Sequence, residues 1–169
     1  MRNGKIVLNV FGYALGLLAV MSGAKAESPL TTCPLASAVE AARAFEGVIG
    51  NDARRVSSEA MTICVFKSDK GGAVTVLVRH NLSKHWLADQ QNRMRHSTNS
   101  RGMEGVGDAA FVLDRHQEGA VLCVFRGEDY VQVSAFGLGA ADAVSPAAKQ
   151  LAQTLVSRLT TGRCWKRIG

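Results

Sequence analysis

The sequence predicts an α+β domain, in which an antiparallel sheet of about five strands carries two long helices on one face and a shorter polar helix between two hairpin units. The first observation is the stretch Asp108–Phe136, which contains three short apolar segments separated by polar breaks that include glycine. The second is an earlier pair of segments rich in Val, Ile and Thr, with a turn signal between them. The third is that apolar residues recur at helical spacing near both ends of the chain.

The three apolar segments predict a meander of neighbouring strands. They are Ala109–Leu113, Ala120–Phe125 and Tyr130–Phe136. The middle segment is apolar on both faces, which indicates a central, buried strand. The third alternates between apolar and polar residues, as a strand with one buried face does.

The elements before the meander follow from capping and turn residues. Thr31–Phe45 is predicted to be a helix, with Thr32 as its N-cap. Ala60–Lys67 and Ala73–His80 are predicted to form a hairpin, because a polar, glycine-containing turn separates them. Leu82–Arg95 follows as a more polar helix.

The remaining elements are a loop and a final helix. His96–Gly107 has few apolar residues and is predicted to be a loop. Ser145 and Pro146 suit the cap and first turn of the last helix, and Gly162 suits its end.

Residues 1–26 are predicted to be a signal peptide and not part of the fold. Arg2 and Lys5 precede the apolar run Ile6–Met21, and Ala24-Lys-Ala26 offers the small residues that a signal peptidase recognises. The apolar run is short for a membrane span.

Cleavage at this site leaves residues 27–169 as a single exported domain, periplasmic or secreted, with no membrane span. Two alternatives stay open. One is an uncleaved N-terminal anchor. The other is a lipoprotein acylated at Cys33, since Leu30-Thr-Thr-Cys33 loosely resembles a lipobox.

The charge of the chain argues against nucleic acid as a partner. The chain has 20 basic and 14 acidic residues, but three of the basic ones, Arg2, Lys5 and Lys25, lie in the predicted signal. Their removal leaves 17 basic against 14 acidic residues, a net charge of +3 that is ordinary for a small domain. We expect no nucleic acid and no cofactor. The expected partner is another envelope protein or a second copy of the chain.

The four cysteines predict two disulfides, because an even number in an exported chain usually pairs. A faint repeat suggests the pairing, since Ile63-Cys-Val-Phe-Lys67 resembles Leu122-Cys-Val-Phe-Arg126. The repeat divides the domain into two halves, one around each of these segments. In each half one cysteine lies in a predicted strand and the other at the end of the neighbouring predicted helix. We therefore predict the disulfides Cys33–Cys64 and Cys123–Cys164, with Cys64–Cys123 and Cys33–Cys164 as the alternative.

The same repeat predicts an interaction surface. It places Cys64 and Cys123 on the face of the sheet that lies under the helices, so the opposite face carries aliphatic residues. These are Ile63, Val65, Leu122 and Val124. An exposed contiguous apolar area usually marks an interface. The alternative is that the polar second helix covers this face.

No residue pattern indicates an enzyme. His85 and Asp89 lie four residues apart on the second helix and can share a metal, but an ordinary pair on a helix surface has the same spacing. His116 lies in a charged hairpin turn, and Glu104 and Asp108 flank a short glycine segment. The alternative function is a small envelope hydrolase or a metal-binding protein that uses His85 with Asp89, or His116.

One segment resembles a known group of proteins. Gly105-Val-Gly-Asp-Ala-Ala-Phe111 follows a loop and opens a strand, and a terminal Ala/Leu-rich helix comes later. This layout resembles small exported domains of bacterial lipoproteins and of the extracellular sensor regions of membrane kinases, which carry Gly-(Leu/Val)-Gly-Asp-x-Ala-(Phe/Tyr). The resemblance implies a non-enzymatic sensor or accessory domain. We therefore expect a non-catalytic binding, sensor or accessory module.

Overall fold

The fold is α+β, and the described part of the chain is built on one antiparallel sheet with three helices. The computed structural model describes residues 33–48, 54–58, 60–69 and 71–160, so the predicted signal peptide and Cys164 lie outside the described residues. Within these ranges, no helix has the length and hydropathy that a membrane span requires.

Seven strands in the described ranges form the sheet. They are β1 (Arg54–Ser58), β2 (Met61–Lys67), β3 (Ala73–Arg79), β4 (Ser100–Gly102), β5 (Ala109–Asp114), β6 (Gly119–Arg126) and β7 (Asp129–Phe136). The helices are α1 (Ala38–Ala44), α2 (Lys84–His96) and α3 (Ala141–Thr160). In space the strands lie in the order β1-β2-β3-β7-β6-β5-β4, and each neighbouring pair is antiparallel.

The predicted hairpin and meander are confirmed, and they join into one sheet through β3 and β7. The two additional strands are the edges of the sheet, β1 and β4. Strand β4 comes from the predicted loop His96–Gly107, and β1 comes from the polar segment before the predicted hairpin, for which no strand is predicted. Backbone pairing with β2 and β5 makes them strands, because an edge strand needs no apolar side chains to complete a ladder.

The main core lies between the sheet and helices α1 and α3. Helix α3 contributes the wide apolar face that its sequence predicts. Its buried members include Ala148, Leu151, Ala152 and Leu155, each at most 2 % exposed. They pack chiefly on β6 and β7, the centre of the sheet.

Helix α1 is shorter than predicted and begins at a different cap. The Ser37 hydroxyl accepts a hydrogen bond from the Glu40 N–H at 3.2 Å, and the Glu40 carboxylate accepts one from the Ser37 N–H at 2.8 Å. This reciprocal pair starts the helix after Ser37, whereas the predicted cap, Thr32, lies outside the described residues. With 7 residues, α1 is shorter than the 13-residue polar helix α2, so the predicted order of helix lengths is wrong.

Helix α3 is longer than predicted at its N-terminus. It begins at Ala141, so Ser145 and Pro146 lie inside it. The Ser145 hydroxyl donates to the Ala141 carbonyl at 2.5 Å. The hydroxyl thus acts within the first turns of the helix and does not cap it.

An ion pair fixes α3 against α1. The Arg158 guanidinium donates to both carboxylate oxygens of Glu40 and, at 2.9 Å, to the carbonyl of Leu35. Burial raises the pKa of Glu40, but the hydrogen bonds from Arg158 and Ser37 outweigh this effect and hold the pKa below its usual value.

The disulfide Cys33–Cys64 is confirmed, and it ties the segment before α1 to β2. The second predicted disulfide, Cys123–Cys164, is wrong, because Cys123 has a free, buried thiol. The alternative pairing fails as well, since Cys64 is bonded to Cys33.

Breaking the Cys33–Cys64 bond is expected to lower the free energy of unfolding by about 3–4 kcal/mol, from the chain entropy of a 31-residue loop. Urea unfolding of the wild type and of Cys33→Ser measures the difference. Cys123→Ala is the control, and it should keep the sensitivity of the wild type to reductant. Peptide mapping that finds Cys123 linked to another cysteine would contradict this disulfide assignment.

Candidate functional site

The sheet has two very different faces. On β2 and β3, alternate residues point into the main core and are at most 2 % exposed. These are Thr62, Cys64, Phe66, Val74, Val76 and Val78. The residues between them are partly exposed, and five of them define what we call the uncovered face. They are Met61, Ile63, Val65, Ala73 and Thr75.

Helix α2 covers only part of the face on which these residues lie. It packs chiefly over β4 and β5. Together with β6 and β7 it forms a second core of Leu87, Phe111, Val121, Cys123, Phe125 and Tyr130. No helix in the described ranges packs extensively over β2 and β3 on this side. Phe136, which is 39 % exposed and pairs with Ala73, continues the apolar surface at one end.

The four residues predicted to form an interaction surface lie on both faces. Ile63 and Val65 belong to the uncovered face, whereas Leu122 and Val124 are 0 % exposed in the main core beneath α3. Leu122 and Val124 are therefore not surface residues.

The register of the sheet explains this error. Side chains that lie directly opposite each other in neighbouring antiparallel strands share a face. The row through Cys64 passes Val76 and Val133 and meets β6 at Leu122, not at Cys123. The two similar segments are thus out of step by one residue, and such a slip moves every side chain to the other face.

Cys123 consequently lies in the second core, within a short chain of polar groups. The Tyr130 hydroxyl is 3.1 Å from the Cys123 sulfur and 3.0 Å from Gln132 Oε1, and the Gln132 amide donates to the Ser134 hydroxyl at 2.9 Å. Burial raises the pKa of the Cys123 thiol and also that of Tyr130. Both groups are therefore protonated near neutral pH, and Cys123 is not an activated nucleophile.

The segment Gly105–Asp108 has a structural role in this protein. The carboxylate of Asp108 accepts a hydrogen bond from the Gly127 N–H at 2.7 Å and pairs with Arg126, so it closes the turn between β6 and β7. The hydrogen bond from Gly127 is the first cause that holds the pKa of Asp108 below its usual value. Burial opposes the shift, and Arg126 adds to it. The carboxylate of Asp108 is thus engaged in closing this turn.

Gly107 has to be glycine for a steric reason. Its φ is +64°, and a Cβ placed on it would lie 2.5 Å from Cγ1 of Val124 and 2.6 Å from the carbonyl oxygen of Phe125. The backbone therefore lies directly against β6, and Val106 beside it is buried in the main core. The glycine at position 107 therefore serves the packing of this segment against β6.

The structure places the candidate histidines, His85 and His116, on different elements. His85 is exposed, and Asp89, its predicted partner, forms an ion pair with Arg93 at 2.9 Å. His116 has a φ of 56°, and its N–H donates to the Asp114 carboxylate at 2.6 Å. Among the described residues no three His, Cys, Asp or Glu side chains are placed to hold a metal ion.

A polar cavity lies beside His116. Its volume is about 590 Å³ and it opens at the turn between β5 and β6. The residues that line it are Asn99, Asp114, Arg115, His116, Gln117 and Glu118. Neither the patterns of apolar residues nor the motifs in the sequence indicate this cavity.

The comparisons with known proteins give little further information. No known protein family matches the chain, and no curated protein does. One solved structure is similar, that of a protein described as a GTP binding regulator from Thermotoga maritima. It is 12% identical, with a TM-score of 0.40, and the match covers 75% of this chain and 92% of that chain.

The close approach of Gly107 to β6 predicts that Gly107→Ala is destabilising by about 2 kcal/mol, because the added methyl group meets backbone and the positive φ is strained. Gly102→Ala is the matched control, since a Cβ there has no atom within 4 Å, and it should be nearly neutral. Thermal unfolding of both variants checks this. Equal losses of stability in the two variants would show that the contact with β6 does not require glycine at position 107.

The Asp108 contacts predict a pH-dependent effect on stability. Because folding lowers the pKa of Asp108, its stabilising contribution is present above the unfolded value of about 3.9 and is lost as the pH falls through the folded value. We expect Asp108→Asn to lower the free energy of unfolding by about 1 kcal/mol at neutral pH, since the carboxylate is half exposed. The difference should disappear in acid. Glu104→Gln, in the same loop, should show no such dependence.

Proposed function

We propose that the protein is a non-catalytic binding module of the bacterial cell envelope, and that it docks another envelope protein on its uncovered face. The observation that carries this proposal is that Met61, Ile63 and Val65 are partly exposed side by side on β2, although the other face of the same strand is fully buried. An apolar surface of this kind on a soluble domain usually serves contact with another molecule.

The partner is expected to be a protein whose apolar surface is bordered by acidic groups. Arg79 lies at the border between the uncovered face and α2, with its guanidinium 4.8 Å from the centre of the Trp86 ring. The predicted mature chain is also net positive, at +3. Charge complementarity of this type guides association and orients the partner more than it adds affinity.

Two further features support an exported accessory or sensor role. The Cys33–Cys64 bond is typical of proteins that work in an oxidising compartment. The resemblance of Gly105–Phe111 to segments of exported sensor-type domains points in the same direction, and in this chain the segment closes a turn of the sheet.

The rival proposal is a small envelope hydrolase or metal-binding protein. The polar cavity beside His116 is the observation in its favour. Against it stand the ion pair that engages Asp89 and the lack of a three-ligand cluster among the described side chains. Metal analysis of the purified protein, with His116→Ala for comparison, tests the rival. A stoichiometric metal that the variant loses would favour it.

Substitution on the uncovered face tests the docking proposal. A photoreactive residue at position 65 identifies the partner in intact cells, and binding is then measured with the two purified proteins. Ile63→Glu should weaken binding about tenfold or more, because it places a charge in the apolar contact. The matched control is Val39→Glu, since Val39 is 59 % exposed on α1.

The same two variants also provide the result that would contradict the proposal. Val39→Glu should bind as the wild type does, and both variants should keep the thermal midpoint of the wild type within a few degrees. A partner that binds Ile63→Glu and the wild type with equal affinity would contradict docking on the uncovered face.

A further inference from the structure

Strand β1 is an open edge of the sheet in the described part of the chain. It is the terminal strand in the spatial order, and its ladder with β2 uses only one side of its backbone. Alternate residues of such a strand direct their N–H and C=O groups away from the sheet. Unless these groups are paired, they are a template for another strand.

The other edge strand, β4, is short and covered. Strand β4 has only three residues and packs against α2. Strand β1 has five, contains no proline, and packs principally on β2. A short, covered edge is blunted against pairing with another strand, whereas a longer edge presents more N–H and C=O groups for such pairing.

The sequence of β1, Arg-Arg-Val-Ser-Ser, is complementary to itself in the antiparallel direction. In a register centred on Val56, this residue lies opposite Val56 of a second copy, Arg55 lies opposite Ser57, and Arg54 lies opposite Ser58. Each pair joins two even-numbered or two odd-numbered residues. The N–H and C=O groups that point away from the sheet belong either to the even-numbered or to the odd-numbered residues of β1. In this register they therefore meet the outward groups of the second copy in both cases.

The two neighbouring registers that also pair even with even and odd with odd residues are energetically less favourable. A shift by one step toward the N-terminus places Arg55 opposite Arg55 of the second copy, and like charges directly opposite are unfavourable. A shift in the other direction carries Arg54 and Arg55 beyond the end of the partner strand. The register centred on Val56 is the one in which all five residues pair and no arginine meets another.

We propose that two copies of the chain associate through β1, antiparallel and centred on Val56, so that their sheets join into one. The twofold axis of such a pair is perpendicular to the sheet, which places both uncovered faces on the same side. This inference goes beyond the docking proposal and does not depend on it, because it involves the edge of the sheet and not Ile63 or Val65.

Cysteine substitution tests the register. Val56→Cys should form a disulfide-linked dimer in dilute oxidant, since the two copies of this residue lie directly opposite each other at a separation suited to a disulfide. Ser58→Cys is the matched control. It lies opposite residue 54, so its two copies are several residues apart and should not cross-link. The wild type accounts for any background from the native cysteines.

Sedimentation and hydrogen exchange of the wild type supply independent measurements. We expect a reversible dimer whose fraction rises with protein concentration, and amide protection of β1 that rises in parallel. A monomer at all concentrations would overturn the proposal, as would equal cross-linking of both variants. Protection of β1 that does not change with concentration would also overturn it, because the edge would then be covered within one chain. Failure of the docking experiment with Ile63→Glu leaves these outcomes unaffected.

Discussion

The structure depends on the strict alternation of side chains across one continuous antiparallel sheet. The row formed by Cys64, Val76, Val133 and Leu122 points into the main core. The row beside it, from Ile63 through Leu77 and Gln132 to Cys123, points to the other side. Because α1 and α3 bury the first row completely, every residue of the second row is assigned to the opposite face.

Unequal helix cover divides this second face into two halves. Helix α2 closes the half over β4 and β5, where it builds the second core around Phe111 and Phe125. The half over β2 and β3 has no comparable cover within the described residues, which makes it the surface on which a partner is proposed to bind. The turn between β6 and β7 stabilises this arrangement, since Asp108 holds it from one side and the pair of His80 and Asp129, at 2.8 Å, joins it to the end of β3.

Local sequence patterns predict the elements of this protein better than its faces. Alternating and continuous apolar segments predict β2, β3, β5, β6 and β7, and helical spacing predicts the buried face of α3. The polar edges β1 and β4 are missed, because backbone pairing and not side-chain burial makes them strands. The α1 cap at Ser37 is recognisable in the sequence, since Ser37-Ala-Val-Glu40 is a capping-box pattern.

The candidate site is harder to predict, because it depends on register. The resemblance between the segments around Cys64 and Cys123 suggests that the two cysteines share a face, yet only the pairing through β3 and β7 sets their relation, and it is offset by one residue. No property of either segment alone contains that offset. The polar cavity beside His116 is likewise formed by the fold, since Asn99 reaches it from the segment before β4.

The most direct test of this account is thiol labelling of four variants in the folded state. Each carries one substitution, which is Ile63→Cys, Val65→Cys, Leu122→Cys or Val124→Cys. The account predicts that cysteines at positions 63 and 65 react rapidly before unfolding. Cysteines at positions 122 and 124 should react only after unfolding, and so should the wild-type Cys123, which is buried. Similar reactivity at all four positions in the folded protein would contradict the assignment of the two faces.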